Sequence, residues 1–433
     1  MGKTFAPLLL AASFLAGTAH AENWPNWRGP TFNQVAPDGD YPTTLDPTKN
    51  AVWNVVLPGK GSSTPCVWGE LVFITCDIDG EDGILCYDLT GSEQWRKTLG
   101  KQRPGKHRNA SGSNPTPITN GERVFVYYKS GTVAALDFNG EIAWQLNLQN
   151  KYGKDTLWWD LGTSPVLAGD NIVIAVMHEG ESYLVALNQK SGEVAWRTLR
   201  NFKTKKESDQ AYTTPIVTEI DGQQQIVTWG ADHLTGHSLD GELIWTCGGF
   251  NPEDKAMWRV IASHGISNGY AVVPYGRADF VAFVKLGGKG DITETAHVGL
   301  AGPKVGSDVP SPIAVGGKAY VLTDAKGKTN GQVMCYDITN GKPIWDEPFA
   351  LPRAAGSYYS SPVKAGNLFY FSHESGIIHV AKETETGMEL VKTNEMPERQ
   401  IATVVPINDH ILLRSETTLY YFKKLDAAAA LDH

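Results

Sequence analysis

The sequence predicts an all-β fold, an eight-bladed β-propeller of four-stranded blades whose ring is closed by an N-terminal strand. Three observations predict it. A phrase recurs at a period of about fifty residues, and a fixed period of that size marks a repeat architecture. It reads Leu187-Asn188, then Ser191-Gly192-Glu193-Val194-Ala195-Trp196, and it returns before Trp95, Trp144, Trp245 and Trp345. A polar residue followed by proline opens most units, at Pro65, Pro117, Pro165, Pro215, Pro312 and Pro362. The third observation is a mismatch at the two ends. Ala51 to Leu57 carries the tryptophan-strand pattern with no blade before it, and the last unit, Thr403 to Lys424, supplies only three strands.

Residues 1–21 read as a cleavable leader. Lys3 gives a basic start, Phe5 to Ala16 is apolar and small, and Ala19-His20-Ala21 fits an A-x-A cleavage site. The apolar run is far below the roughly 20 residues of a membrane span, and no second stretch of spanning length follows. The expectation is an exported monomer, periplasmic or secreted. Residues 22–50 form an N-terminal extension, 51–424 the propeller and 425–433 a tail.

Within each unit, turn residues separate short apolar runs. Leu71-Val72-Phe73-Ile74, Val124-Phe125-Val126-Tyr127, Ile172-Val173-Ile174-Ala175 and Ala319-Tyr320-Val321-Leu322 read as second strands. The third run ends in the Leu-Asp phrase and the fourth carries the tryptophan. Closure through the strand around Trp53 removes the exposed sheet edges. The fifth unit is degenerate, with Ser263-His264-Gly265 at the proline step and Lys289-Gly290-Asp291 at the turn. Its length matches a blade, so the count is eight; seven is the alternative if that unit is an insertion. The glycine before each tryptophan allows a positive φ. The tryptophans at 53, 95, 144, 196, 245 and 345 are then placed to lie between neighbouring blades, as structural residues.

Composition bounds the function. Hydrophobic content of 41% and charged content of 20% suit a soluble globular protein. A net charge of −9 argues against nucleic acid, which needs a basic face to neutralise phosphates. Five cysteines are present, and Cys76 and Cys86 flank a predicted hairpin. They would oxidise if they faced each other across it; the alternative is that they fill small apolar inner positions. His178-Glu179 and His373-Glu374 occupy matching loops of opposite blades, which we read as repeat ancestry and not as a metal site.

The Asp, Thr/Ser-Gly, Trp pattern resembles the tryptophan-docking motif of the quinoprotein dehydrogenase-like (pyrroloquinoline quinone repeat) propellers. Trp24-Pro25-Asn26-Trp27-Arg28-Gly29-Pro30 is similar to the opening of secreted members from planctomycete- and verrucomicrobia-type bacteria. The resemblance implies the eight-bladed propeller. It also implies that ligands meet the face bearing the loops between one blade's outer strand and the next blade's inner strand. Those loops are long, aromatic and charged. They offer Arg108, Trp158, Trp159, Asp160, Tyr212, Trp258, Arg259, His264, Asp308 and Tyr358 as candidate ligand-binding residues. Trp158-Trp159 is the candidate floor for a planar cofactor or sugar ring, and Arg108, Arg259 and His264 are candidate donors to an anionic or hydroxylated ligand.

The resemblance further implies a comparison with the large quinoprotein alcohol dehydrogenases. Those enzymes use an adjacent cysteine pair beside the quinone, a stacking tryptophan, a calcium held by Glu, Asn and Asp, and an Asp base. No two cysteines are adjacent here. Trp158 or Trp159 is available to stack, and Asp160 or Asp308 as carboxylates, but no motif pins them. The sequence therefore favours a binding module whose loop-lined funnel takes a small polar molecule, a glycan or a protein segment. A pyrroloquinoline quinone and calcium-dependent oxidoreductase acting on an alcohol or sugar is the alternative, and an outer-membrane assembly scaffold a third.

Overall fold

The computed structural model describes residues 22–324 and 330–425, so the predicted leader and most of the predicted tail lie outside the described residues. Eight sheets form the ring, each built on a four-stranded blade, and two of them carry a fifth strand. Blade one is Cys66–Trp68, Leu71–Ile78, Glu81–Asp88 and Glu93–Lys101. Its middle strands are buried on both faces because a neighbouring blade packs on each, so they read as near-continuous apolar runs. Outer strands meet solvent and alternate with the period of two expected of a half-buried strand, as in Ala51–Val56.

The predicted closure holds. Ala51–Val56 pairs antiparallel with Thr418–Phe422 to complete blade eight, with Trp53 opposite Tyr421 and stacked on it at 5.5 Å. The weak fifth unit is a full blade, built from Gly265–Ser267, Tyr270–Tyr275, Phe280–Lys285 and His297–Ala301. Its divergent turn, Gly290–Asp291, adds in parallel to the outer strand of blade four at Trp245 and Thr246.

Four of the six repeat tryptophans dock as the motif requires. The indole N–H groups of Trp53, Trp95, Trp144 and Trp196 donate to the carbonyls of Leu89, Phe138, Gln189 and Leu239 in the next blade, at 2.8 to 3.0 Å. Each ring lies flat on the next blade's turn glycine. A Cβ added at Gly140 would stand 2.6 Å from the Trp95 ring, and one at Gly192 2.5 Å from Trp144. Close approach, as much as the positive φ, explains the glycine. Trp245 and Trp345 depart from the expectation. Trp245 faces a blade whose turn has diverged, so its indole turns inward to Gln225 Oε1 at 2.8 Å. Trp345 packs on Tyr320 of its own blade, centroids 5.9 Å apart. Phe283 of blade five, which has no tryptophan, takes the place on Gly341.

The Ser/Thr-Pro step also has a physical account. Proline forces the residue before it into extended backbone and brings no N–H of its own. The hydroxyl one residue earlier then accepts the matching backbone N–H of the preceding blade. Thr116 accepts from Thr64, Ser164 from Thr116, Thr214 from Ser164, and Ser263 from Thr214, at 2.9 to 3.1 Å. Ser311, Ser361 and Thr64 continue it, accepting from Ser263, Ser311 and Thr403 at 2.9 to 3.2 Å. A belt of hydroxyls thus lines the channel and ties the blades together.

The N-terminal extension straps the opposite face. Trp24 bridges Val67 of blade one, Asn33 bonds Ile266 of blade five, and Val35–Ala36 pairs parallel with blade seven. Arg28 is buried without a carboxylate partner. It donates to Gln34 Oε1 at 2.8 Å, to the Pro312 carbonyl at 2.6 Å and to the His264 carbonyl. Burial lowers its pKa to about 9.

All five cysteines are buried thiols. Cys76 pairs across its hairpin with Gly83, and Cys86 with Phe73, so the two cysteines belong to different rungs. They also face different cores, one toward blade eight and the other toward blade two. They fill inner positions and form no disulfide.

Candidate functional site

Two sets of loops meet on the face opposite the strap: the blade-to-blade connections and the hairpins between second and third strands. Together they shape a cavity of about 450 Å³ at the mouth of the channel. Its floor is apolar, with Ile261, Val309, Ile401 and Tyr359. Below, the channel runs through the hydroxyl belt to Trp27 of the strap.

The Trp158-Trp159-Asp160 segment is held by its own backbone. It follows a short helix, Leu148–Tyr152, capped by the Asn147 side chain. Asp160 accepts the backbone N–H groups of Lys106 at 2.9 Å and His107 at 2.8 Å, and it pairs with buried Lys129. Burial pushes the Asp160 carboxyl up, but His107, Lys129 and Lys106 outweigh it and hold it below the usual carboxylate range. Asp160 therefore clamps loop 104–108 against blade three. The Trp158 N–H donates to Gln210 Oε1 at 2.9 Å and the Trp159 N–H to the Tyr212 hydroxyl at 3.2 Å. Both indoles stay more than 40% exposed, which is unusual for side chains this large.

A charge cluster forms one wall. Arg259 lies between Glu207 and Asp308, with Nε 3.4 Å from Glu207 Oε1 and Nη2 3.3 Å from Asp308 Oδ2. Arg277 Nη1 stands 3.6 Å from Glu207 Oε2. Asp324 accepts the backbone N–H of Asp308 at 2.9 Å and so orders that strand entry. Glu207 is placed by a one-turn 3-10 helix, Lys206–Asp209, whose Ser208 hydroxyl donates to the Lys255 carbonyl at 2.6 Å. Arg259 Nη1 and the Tyr358 hydroxyl are buried at the cavity without a hydrogen-bond partner. Burial raises the pKa of the Tyr358 and Tyr212 hydroxyls, so both remain protonated donors.

Six of the ten sequence candidates line this cavity: Trp159, Asp160, Tyr212, Arg259, Asp308 and Tyr358. Four do not. Arg108 points along the rim and pairs with Glu374 at 3.0 Å. Trp158 sits outside on the same rim. Trp258 turns away to pack on Tyr275 and Phe280, with the Lys255 amine 4.5 Å over its ring. His264 is wholly buried beside Arg28 at the start of blade five; burial, then the two arginines nearby, lower its pKa to about 3, so it is a neutral core residue. Arg277 and Asp324 escaped the sequence reading because they sit on second-to-third strand hairpins, which share the face with the loops considered. His107 and Glu207 lie inside loops between blades, but only the fold brings His107 to the cavity and Glu207 under Trp159 and Arg259. His178 and His373 are each committed locally, His178 accepting from Thr156 N at 3.2 Å and His373 standing edge-on to Tyr358.

The ring, its tryptophan docking and its loop-lined mouth define the class: an eight-bladed PQQ-like β-propeller. The family model described as outer membrane protein assembly factor BamB (PQQ_2) matches residues 80–260 and 294–428, and the chain belongs to this family. No curated protein sequence matches the chain. A europium-containing methanol dehydrogenase superposes with a TM-score of 0.70 at 12% identity, over 93% of this chain and 98% of that one. The quinohemoprotein alcohol dehydrogenase of Comamonas testosteroni gives 0.65 at 12%, over 95% and 82%. BamB of Moraxella catarrhalis gives 0.58 at 13%, over 87% and 100%. At such identities the likeness shows the fold alone.

The residues at the cavity do not fit the quinone and calcium pair that the resemblance implied. Calcium takes six to eight oxygen ligands. Here Glu207 and Asp308 already share a guanidinium, and no group of three or more His, Cys, Asp or Glu suited to a metal occurs among the described residues. The cysteines all lie within the sheets, so none borders the cavity.

Proposed function

We propose that this propeller is an exported binding module that holds a small polar ligand in the cavity at the mouth of its channel. One observation carries the reading. Arg259 lines the cavity with its guanidinium held in place by Glu207 and Asp308, a fixed polar group in a largely apolar pocket. The depth of the cavity, its apolar floor and its few convergent polar groups support the same reading. Export rests on the leader pattern in residues 1–21. No helix of the described residues is long and apolar enough to cross a membrane.

The test is direct. The mature protein is titrated with pyrroloquinoline quinone and calcium, and separately with a library of small polar metabolites, while melting temperature and absorbance are followed. The binding reading expects metabolite-dependent stabilisation that Arg259→Met abolishes. A quinone absorbance band on the protein, with dye reduction by alcohols or sugars, would replace it with the oxidoreductase reading. Capture of an outer-membrane protein through the rim, with no response to small molecules, would replace it with the assembly reading.

A further inference from the structure

We infer that the loop face is held by an acid-sensitive latch: two buried histidines on opposite blades whose protonation frees the loops that wall the cavity. As regulation of that cavity it rests on the binding reading above. The residues belong to the two matching His-Glu pairs. His178 stands in the second-to-third strand hairpin of blade three, between Asn171–Val176 and Tyr183–Asn188. His373 stands in the same hairpin of blade seven, between Leu368–Ser372 and Ile377–Glu383. Both are buried. Each Nδ1 accepts a backbone N–H, from Thr156 to His178 and from Ser375 to His373, both at 3.2 Å. A backbone N–H only donates, so neither Nδ1 carries a proton in this arrangement.

His178 holds the tryptophan loop. The Thr156 hydroxyl also donates to the Glu179 carbonyl at 2.5 Å, so Thr156 is tied to the hairpin twice, just before Trp158 and Trp159. The His373 hairpin holds two loops. Its ring stands edge-on to Tyr358, centroids 4.9 Å apart. Its turn presents Glu374 to the Ser357 N–H at 2.9 Å, to Asn109 Nδ2 at 2.8 Å and to Arg108 at 3.0 Å. Ser357, Tyr358 and Asn109 line the cavity. A proton on either Nδ1 sets a donor against a donor and buries a cation. Burial holds both rings below the ordinary histidine range. For His178 it outweighs Asp155, Asp209 and Glu181, and Arg103 engages Asp155 at 2.6 Å. Glu374 and His379 face His373, and only Glu374 favours its cation. Freed loops therefore take up the proton near the ordinary value of 6.5 and latched loops only below it. The latch is complete above that value and weakens as pH falls, by up to ~30-fold for each histidine at about pH 5.

Hydrogen exchange of the mature protein tests this without a ligand. Exchange in segments 104–110, 153–162 and 353–376 is compared at about pH 7.5 and about pH 5, after correction for the intrinsic rate, with 187–196 on the opposite face as reference. Protection of the three segments falls about ten-fold or more relative to the reference. Joint replacement by His178→Asn and His373→Asn keeps the protection in acid, because asparagine places a non-titrating acceptor where Nδ1 stood. Asp82 and Asp232 also titrate above the ordinary carboxylate range, so the asparagine pair makes the assignment and not the pH change alone. Unchanged protection in the parent, or equal loss in the double variant, overturns the latch. If the double variant fails to fold, histidine ring NMR shifts of the parent, assigned with each single variant, decide. Both rings charging over the pH range of the loss supports the latch, and a ring still neutral when protection has gone overturns it. Failure here leaves the binding reading standing, whereas failure of every titration above removes that reading and leaves the latch.

Discussion

The indole nitrogen of Trp159 donates to Glu207 Oε1 at 2.9 Å, which joins the exposed aromatic rim to the buried charge pair beneath it. Removing the ring and removing its N–H are therefore different perturbations. Trp159→Phe keeps an aromatic face but leaves a buried carboxylate oxygen short of a donor. It should lower stability by about 1–3 kcal/mol while retaining most ligand binding. Denaturant unfolding and titration of one preparation check both halves; unchanged stability would mean that the hydrogen bond carries no energy.

Glycine at the docking turn serves two purposes that substitution can separate. Gly140 and Gly222 both have positive φ, +83° and +76°, but only Gly140 lies under a neighbouring ring. Gly222→Ala should cost about 1 kcal/mol for its backbone alone. Gly140→Ala should cost that and a further ~1–3 kcal/mol of overpacking against Trp95. Equal losses in thermal unfolding would show that the tryptophan yields freely.

Arg28 holds the strap across the ring by bonds to carbonyls at the His264 and Pro312 steps. Arg28→Ala leaves those buried acceptors unpaired and should destabilise the fold by about 2–4 kcal/mol. Limited proteolysis should then cut between Pro25 and Ala36 faster than in the parent. An unchanged cleavage rate would make the strap an independent element.

Asp82 is fully buried at the hairpin of blade one, with Oδ2 bonded to Ser130 and Oδ1 unpartnered. Burial raises its pKa from 3.8 to about 7. Between those values the folded protein binds the extra proton, so this group's contribution to stability falls as pH rises from about 4 to about 7. Asp82→Asn removes the effect. The variant should match the parent near pH 4 and exceed it at pH 8 by at least ~1 kcal/mol. Chemical denaturation at the two pH values measures this, and a constant difference would refute it.

Much of the fold was legible because the repeat is a local code. A glycine, a tryptophan at fixed offset and a Ser/Thr-Pro step each do a job inside one blade or at its border with the next. The chain announces such jobs eight times in variant form. The code failed where its reader lost a partner: Trp245 turned inward because the next blade's turn, Gly290–Asp291, pairs with its strand and places no glycine under the ring. The candidate site was less legible. Trp159, Arg259 and Asp308 lie on loops between blades, and the sequence flagged them through their residue types. Arg277 and Asp324 carry no such mark, since a charged hairpin residue looks the same whether it faces solvent or a neighbour.

By itself, then, the sequence determined the period, the number of blades, the strand that closes the ring and the face on which the pattern breaks. These follow from near-neighbour packing and backbone geometry, which a short stretch of chain specifies. Only the tertiary structure decided which loop residues converge. Arg259, Glu207, Arg277 and Asp308 come from three different sectors, and His264, which broke the proline step in the sequence, proved to be buried beside Arg28. Convergence depends on the curvature of the whole ring, and no segment of the chain encodes that alone.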